Sequence, residues 1–296
     1  MKISVCLPYM EKDFGRKELL QWCRRIDDGP FHSLSCGERI TGYTLEMRNV
    51  LAFAAAVTER VRIVPSLYVL PMHSAVWAAK EIATLDLLSE GRVTVTVGVG
   101  GRELDYQAVE ASFARRHQRM DDQIARMKSI WQGEPPVVGA DEVGPRPVQK
   151  NGPPILAGSM GPKAMARAAQ WADGIYAFAM GGDKGLTEYF KNTAEQSWQQ
   201  AGRETAPYFA GGFWYSLADN AEQRLQDYVY NYLLTFGEQE ARNTARTMTR
   251  HNPEAVLQAV QDMQDLQLDE LFLVPATADI SEIDRLEQLL TSAGLV

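Results

Sequence analysis

The sequence predicts an α/β fold of the (β/α)8 TIM barrel kind, with an insertion after the fourth helix. Strand-like and helix-like stretches alternate eight times along 296 residues. Alternation of this kind implies a parallel sheet, and eight units of this total length imply a closed barrel. The run Arg92-Val93-Thr94-Val95-Thr96-Val97-Gly98-Val99-Gly100-Gly101 shows the pattern most clearly. It puts four valines on one face and Thr94, Thr96, Gly98 and Gly100 on the other, a face that shrinks to nothing at its C-terminal end. No sequence repeat or low-complexity tract accompanies the alternation. A doubly wound open sheet is the competing architecture. Residues 1–296 read as a single domain, with the insertion at about 134–153.

Taken in order, Ile3 to Leu7 is a short buried strand closed by Pro8, and a helix follows from Arg16 to Asp27. Gly29-Pro30 breaks that helix, and Phe31 to Cys36 is the second strand. Leu45, Val50, Leu51, Phe53, Ala54 and Val57 trace a helical stripe before the third strand, Arg62 to Tyr68. Val76, Ile82, Ala83 and Leu85 mark the next helix, which Gly91 ends ahead of the valine strand. A long helix is expected from about Leu104 to Trp131. The proline- and glycine-rich stretch 134–153 follows, with Val137-Val138 and Pro147-Val148 as candidate hairpin arms.

Alternation then resumes: strand Pro154 to Gly158, helix Pro162 to Ala172, strand Gly174 to Ala179, helix Leu186 to Ala201, strand Tyr208 to Tyr215 and helix Leu217 to Phe236. Asn252-Pro253 starts a further helix, with a capping side chain followed by proline at the first helical position. Asp269 to Val274 is the eighth strand. Asp279 and Glu282 resemble a capping box for the final helix.

Composition narrows the function classes. The chain is 45% hydrophobic and 23% charged with a formal net charge of −8, which argues against nucleic acid or an anionic membrane as a general partner. The N-terminus lacks the apolar core and cleavage site of a signal peptide, and no window reaches the roughly 18 apolar residues of a spanning helix. A cytoplasmic location is expected. The three cysteines, Cys6, Cys23 and Cys36, have neither metal-site nor disulfide-framework spacing and read as small buried hydrophobes.

In such a barrel the activity belongs at the C-terminal ends of the strands. After the fifth strand, Gly158-Ser159-Met160-Gly161-Pro162-Lys163 reads as a phosphate seat, with accessible amides, a hydroxyl and a cation at a helix start. A plain turn with a capping glycine explains the same residues equally well. At Pro65-Ser66-Leu67-Tyr68 a proline inside a strand suggests a bulge that presses Leu67 on a bound ring, or an irregular strand edge. Gly98-Val99-Gly100 could be half of a dinucleotide fingerprint, but Glu103 stands where the third glycine belongs. Glu103 and Asp105 are helix-start acids or binding carboxylates.

Absences count as well. The four histidines are scattered with no metal-binding pattern, lysines avoid the strand interiors after Lys2, and the seventh strand ends without a carboxylate. These observations disfavour a metal-dependent hydrolase, a Schiff-base aldolase and a glycosidase in turn. A glycine-rich, aromatic mouth poor in acid–base pairs suits chemistry carried by a bound cofactor.

The chain resembles the luciferase-like flavin-dependent oxidoreductases over nearly its whole length. The resemblance rests on Phe31 to Ile40, Ala55 to Arg62, Lys80 to Asp86 with Ser89 to Arg92, the Gly98-Val99-Gly100 turn, and Gly158 to Pro162 followed by Ala172-Asp173-Gly174. It implies a barrel, usually dimeric, that binds FMN or the deazaflavin coenzyme F420. It also implies monooxygenation of a small organic substrate with reduced flavin and oxygen, or hydride transfer with the deazaflavin. Carried over residue by residue, Ser66-Leu67, often a non-proline cis peptide in relatives, would support the flavin ring. Gly98 and Gly100 would lie beside it, and Gly158, Ser159, Met160 and Gly161 would hold the phosphate.

One departure from the family pattern matters. Many relatives carry a catalytic or substrate-facing histidine after the acidic residue that ends the second strand, and here Glu38 is followed by Arg39. A permanently charged guanidinium is no general base near neutral pH. Arg39 binds an anionic substrate group or a flavin-bound oxygen, or it pairs with Glu38 structurally. Glu38 and Arg39 are the candidate catalytic pair, and a silent flavin-binding accessory protein is the alternative of another class. A separate flavin reductase is the expected partner. Loops at 180–183, 134–153 and about 236–251 are expected to set specificity.

Overall fold

The computed structural model describes all of residues 1–296. Eight parallel strands close into a barrel in chain order: β1 (Lys2–Cys6), β2 (Ser33–Cys36), β3 (Arg62–Val69), β4 (Val95–Gly98), β5 (Ile155–Gly158), β6 (Gly174–Phe178), β7 (Tyr208–Tyr215) and β8 (Glu270–Pro275). The seam is made by β1 against β8, with Lys2 opposite Glu270 and Val5 opposite Leu273. Around the barrel lie α1 (Arg16–Asp28), α2 (Met47–Val57), α3 (Ala75–Leu88), α4 (Glu103–Ala108), α5 (Arg116–Trp131), α6 (Pro162–Ala168), α7 (Lys184–Gln200), α8 (Ala221–Leu233), α9 (Glu238–Arg246), α10 (Pro253–Asp265) and α11 (Ser281–Ser292).

The period-two pattern determines which side chains face which layer. Val93, Val95 and Val97 are fully buried in the main core together with helix residues such as Ile82, Ile124 and Met127. The opposite faces of the strands fill the barrel in layers. At the N-terminal end the Glu270 carboxylate accepts hydrogen bonds from the Ser4 and Ser33 hydroxyls and, at 2.8 Å, from Tyr208. Above it sits a compact apolar layer of Val64, Leu156, Tyr176, Ala210 and Phe272.

Several local expectations are corrected. The stretch 104–131 is two helices, because Glu110 and Arg115 adopt left-handed backbone (φ 58° and 54°) and Tyr106 folds back onto Phe113 at 5.1 Å. The insertion therefore follows α5. Residues 134–153 form no hairpin. They run over α3 instead, where the Asp86 carboxylate accepts from the Val148 and Gln149 amides and Lys80 donates to the Gly144 carbonyl.

The helical region predicted from Leu217 to Phe236 ends sooner than its sequence suggests. α8 stops at Leu233, a short 3-10 turn covers Leu234–Phe236, and the unexpected α9 follows, burying only Ala241 and Ala245. At the start of α10, Asn252 caps Ala255 as expected. The capping box at α11 is half right: Asp279 accepts from the Ser281 amide, but Glu282 turns inward to accept from the Leu217 amide at 2.6 Å. No helix is long and apolar enough to cross a membrane.

Candidate active site

The site begins with β3. Its register against β4 shifts between Ser66 and Tyr68, and the Ser66–Leu67 peptide is cis. The irregularity brings two successive residues onto the inner side of the barrel, so that Leu67 packs on the interior apolar layer. Glycines lie beneath it. A Cβ on Gly158 would lie 2.4 Å from Leu67 Cδ2, and one on Gly98 would lie 2.7 Å from Cδ1. The space left by those glycines is taken up by Leu67, and Leu67 in turn forms the floor of a cavity of about 240 Å³ at the C-terminal end of the barrel.

The cavity wall is mostly aromatic and aliphatic: Tyr9 after β1, Val69 at the end of β3, Tyr176 and Phe178 from β6, Trp214 from β7, and Tyr228 and Tyr232 from α8. Phe178 meets Trp214 edge-on at 5.0 Å, and Trp214 meets Tyr232 in the same way, which fixes this wall as one packed unit. Gly37 lets Tyr9 approach, since a Cβ there would stand 2.3 Å from its hydroxyl. Cys6 also lines the cavity. Burial pushes its thiol up to about 12, so it is a neutral wall group and not a nucleophile.

The polar rim comes from the loops after β2 and β4. The Glu38 side chain is 4% exposed, and its carboxylate accepts from the Val69 amide and bonds His73 Nε2, each at 2.7 Å. It thereby ties the β2 loop to the far end of β3. Asp105 accepts from the Ile40 and Thr41 amides and from the Thr41 hydroxyl, and it pairs with Arg102 at 3.3 Å. Those donors hold its carboxyl below the usual range against the opposing effect of burial. Arg39 does not pair with Glu38. Its Nε donates to the Thr41 carbonyl at 2.9 Å, and burial together with neighbouring Arg102 lowers its pKa.

Of the residues singled out from the sequence, Glu38, Arg39, Ser66, Leu67, Gly100 and Met160 line this single cavity. Gly98 and Gly158 lie beneath Leu67, outside the lining, and Ser159 and Gly161, which follow β5, are outside it as well. Ser159 is buried with its amide donating to the Tyr176 carbonyl, whereas a Cβ on Gly161 would meet nothing within 4 Å. The insertion 134–153 contributes nothing to the cavity, while Met180 and Phe236 do line it. Tyr9, Trp214, Tyr228 and Tyr232 were not identified from the sequence. The i,i+4 spacing of Tyr228 and Tyr232 on one helical face was their only advance signal.

The sequence model of the luciferase-like monooxygenase family matches residues 1–294. An uncharacterized protein of Mycobacterium tuberculosis is 31% identical over 172 residues, covering 55% of this chain and 60% of that protein. The oxygenase component of a flavin-dependent trigonelline monooxygenase from Acinetobacter baylyi is 25% identical over 168 residues, covering 52% of this chain and 46% of that protein. The chain thus spans about half to three-fifths of the length of these curated relatives. Among solved structures, monooxygenase RslO1 from Streptomyces bottropensis superposes with a TM-score of 0.78 at 22% identity, covering 99% of this chain and 98% of that one. An F420-dependent secondary alcohol dehydrogenase superposes with a TM-score of 0.80 at 17% identity, covering 99% of both chains.

Proposed function

Because this chain belongs to the luciferase-like monooxygenase family, we propose that it is an FMN-dependent monooxygenase that uses reduced flavin and O2 on a small organic substrate. The observation that carries the reading is the apolar slot floored by Leu67, whose side chain is seated in the gap left by Gly98 and Gly158. A flat ring laid in that slot meets hydrocarbon below and aromatic edges at the side, and Gly100 keeps the wall beside it free of a side chain. Bound reduced FMN supplies the electrons for oxygen activation.

The phosphate belongs to the loop Gly158-Ser159-Met160-Gly161. Its open Gly161 leads into the first turn of α6, where helix amides lack intrahelical acceptors, and Lys163 stands at the same turn. The aromatic wall excludes water from the ring, and Glu38 holds the end of β3 in place through Val69 and His73. Arg39 is the group that faces the substrate.

We propose a separate flavin reductase as supplier of the reduced flavin, since the Acinetobacter relative is named as an oxygenase component. A homodimer is proposed through α3. That helix exposes three large apolar side chains, Trp77 at 62%, Leu87 at 49% and Leu88 at 58%. Exposed apolar side chains grouped on one element suit a protein interface.

Side-by-side titration of the purified protein with FMN, reduced FMN and F420 tests the cofactor. Oxygen uptake in the presence of reduced FMN and candidate substrates tests the reaction. Tighter binding of F420 than of FMN, or oxygen uptake indifferent to the protein, would overturn the proposal.

A further inference from the structure

The rim of the cavity holds three hydrogen-bond donors with no acceptor in the protein. Arg39 uses only Nε, on the Thr41 carbonyl, and its two terminal nitrogens have neither a hydrogen bond nor a carboxylate within 4 Å. The Tyr9 and Tyr232 hydroxyls make no side-chain hydrogen bond to the protein, although both residues line the cavity, whereas neighbouring Tyr228 donates to the Met10 sulfur. Both phenols line the same cavity as Arg39. The two rim carboxylates do not answer these donors. Glu38 is occupied by His73 and the Val69 amide, and Asp105 by Arg102, Thr41 and Ile40. Half-buried guanidinium ends without an acceptor carry a desolvation cost that an anionic ligand relieves, and a planar fork suits a carboxylate in particular.

We infer that Arg39, assisted by the Tyr9 and Tyr232 hydroxyls, receives a carboxylate of the substrate, so that the substrates are small organic acids with an apolar body. This deepens the functional reading above and rests on it for the word substrate. The body of the acid lies against Phe178, Trp214 and Tyr228, which offer hydrocarbon and aromatic edges. Arg39 acts as a binding residue that orients the acid, and no proton passes through it.

The test uses phenylacetate and its neutral isostere phenylacetamide, titrated by calorimetry into the full-length protein with and without saturating FMN. Affinity for FMN is measured separately. The carboxylate is expected to bind about 30-fold more tightly than the amide, the span of a charge-assisted pair of hydrogen bonds. That preference should fall to about threefold or less in Arg39→Gln, and several-fold in Tyr232→Phe, which removes one hydroxyl and keeps the ring. Arg39→Lys should keep part of the preference.

Equal binding of acid and amide, a preference unchanged in Arg39→Gln, or no binding of either compound would overturn the inference. So would an Arg39→Gln variant that loses FMN affinity in place of the acid preference, since the anion at Arg39 would then be the cofactor's own. Failure of FMN to bind would overturn the cofactor reading alone, because the acid-to-amide ratio is measured independently of it.

Discussion

Leu67 shows at the scale of one residue how missing side chains can build a site. Gly158→Ala would push a Cβ into Leu67 Cδ2, and a leucine displaced upward enters the cavity that it lines. Because the obstructing atom is the far end of a flexible side chain, the stability cost should be modest, about 1 kcal/mol in a denaturant melt. Flavin affinity should drop far more, and adding Leu67→Ala should restore part of it, a coupling readable in a double-mutant cycle. Glu38 makes the opposite case. Glu38→Ala would orphan the buried Val69 amide and release His73, and a loss of about 1–3 kcal/mol of stability is expected from chemical denaturation. The sequence pointed to both residues through the strand-breaking Pro65 and the acid that ends β2. It could not tell that the glycines serve Leu67 first and the ring only through it, since that contact joins β3, β4 and β5.

At the scale of elements, the motifs that carried the family resemblance are mostly joints. Arg60 donates to the carbonyls of Ile26, Asp27, Gly29 and Phe31, clamping the turn from α1 into β2. Arg92 does the same for the turn after α2, reaching Ala55, Thr58 and Val61. Asp173 receives the Ile155 amide, and Asp86 anchors the insertion.

The start of α11 carries a titrating joint. Glu282 is fully buried with one oxygen unpartnered, and burial pushes its carboxyl up to about 7 from an ordinary 4.5. Between those values the folded chain keeps a proton that the unfolded chain has released, so stability falls as pH rises across the window and is level above it. The full change is on the order of 3 kcal/mol. Glu282→Gln should gain on the parent protein between about pH 5 and pH 8 in urea melts, and an unchanged difference would show that Glu282 does not titrate there. The sequence read this residue as half of a capping box. Its burial depends on how α11 meets the loop after β7, which local spacing does not encode.

At the scale of the whole molecule, a polar plug spans the seam at the base of the barrel and, in our proposal, a partner covers one side of it. Glu270 joins Ser4, Ser33 and Tyr208, and thus β1, β2, β7 and β8 across the seam between the first and last strands. Glu270→Ala should cost roughly 2–3 kcal/mol and lower the melting temperature by several degrees, because three hydroxyls lose a charged acceptor at once. If α3 is the dimer face, Trp77→Glu should shift sedimentation to the monomer with the fold intact by circular dichroism.

The sequence by itself determined the alternation, the eight-strand barrel, the order of its elements and the strand ends at which a site could form, because hydrophobic period and breaker residues act over a few positions. Tertiary structure alone decided which of those ends share a cavity and what each polar group has left to offer. Glu38 and Asp105 are consumed by partners on other loops, while Arg39, Tyr9 and Tyr232 keep free donors. Hydrogen bonds between residues far apart in the chain leave no trace in spacing, and they separate the groups that hold the barrel together from those free to meet a ligand.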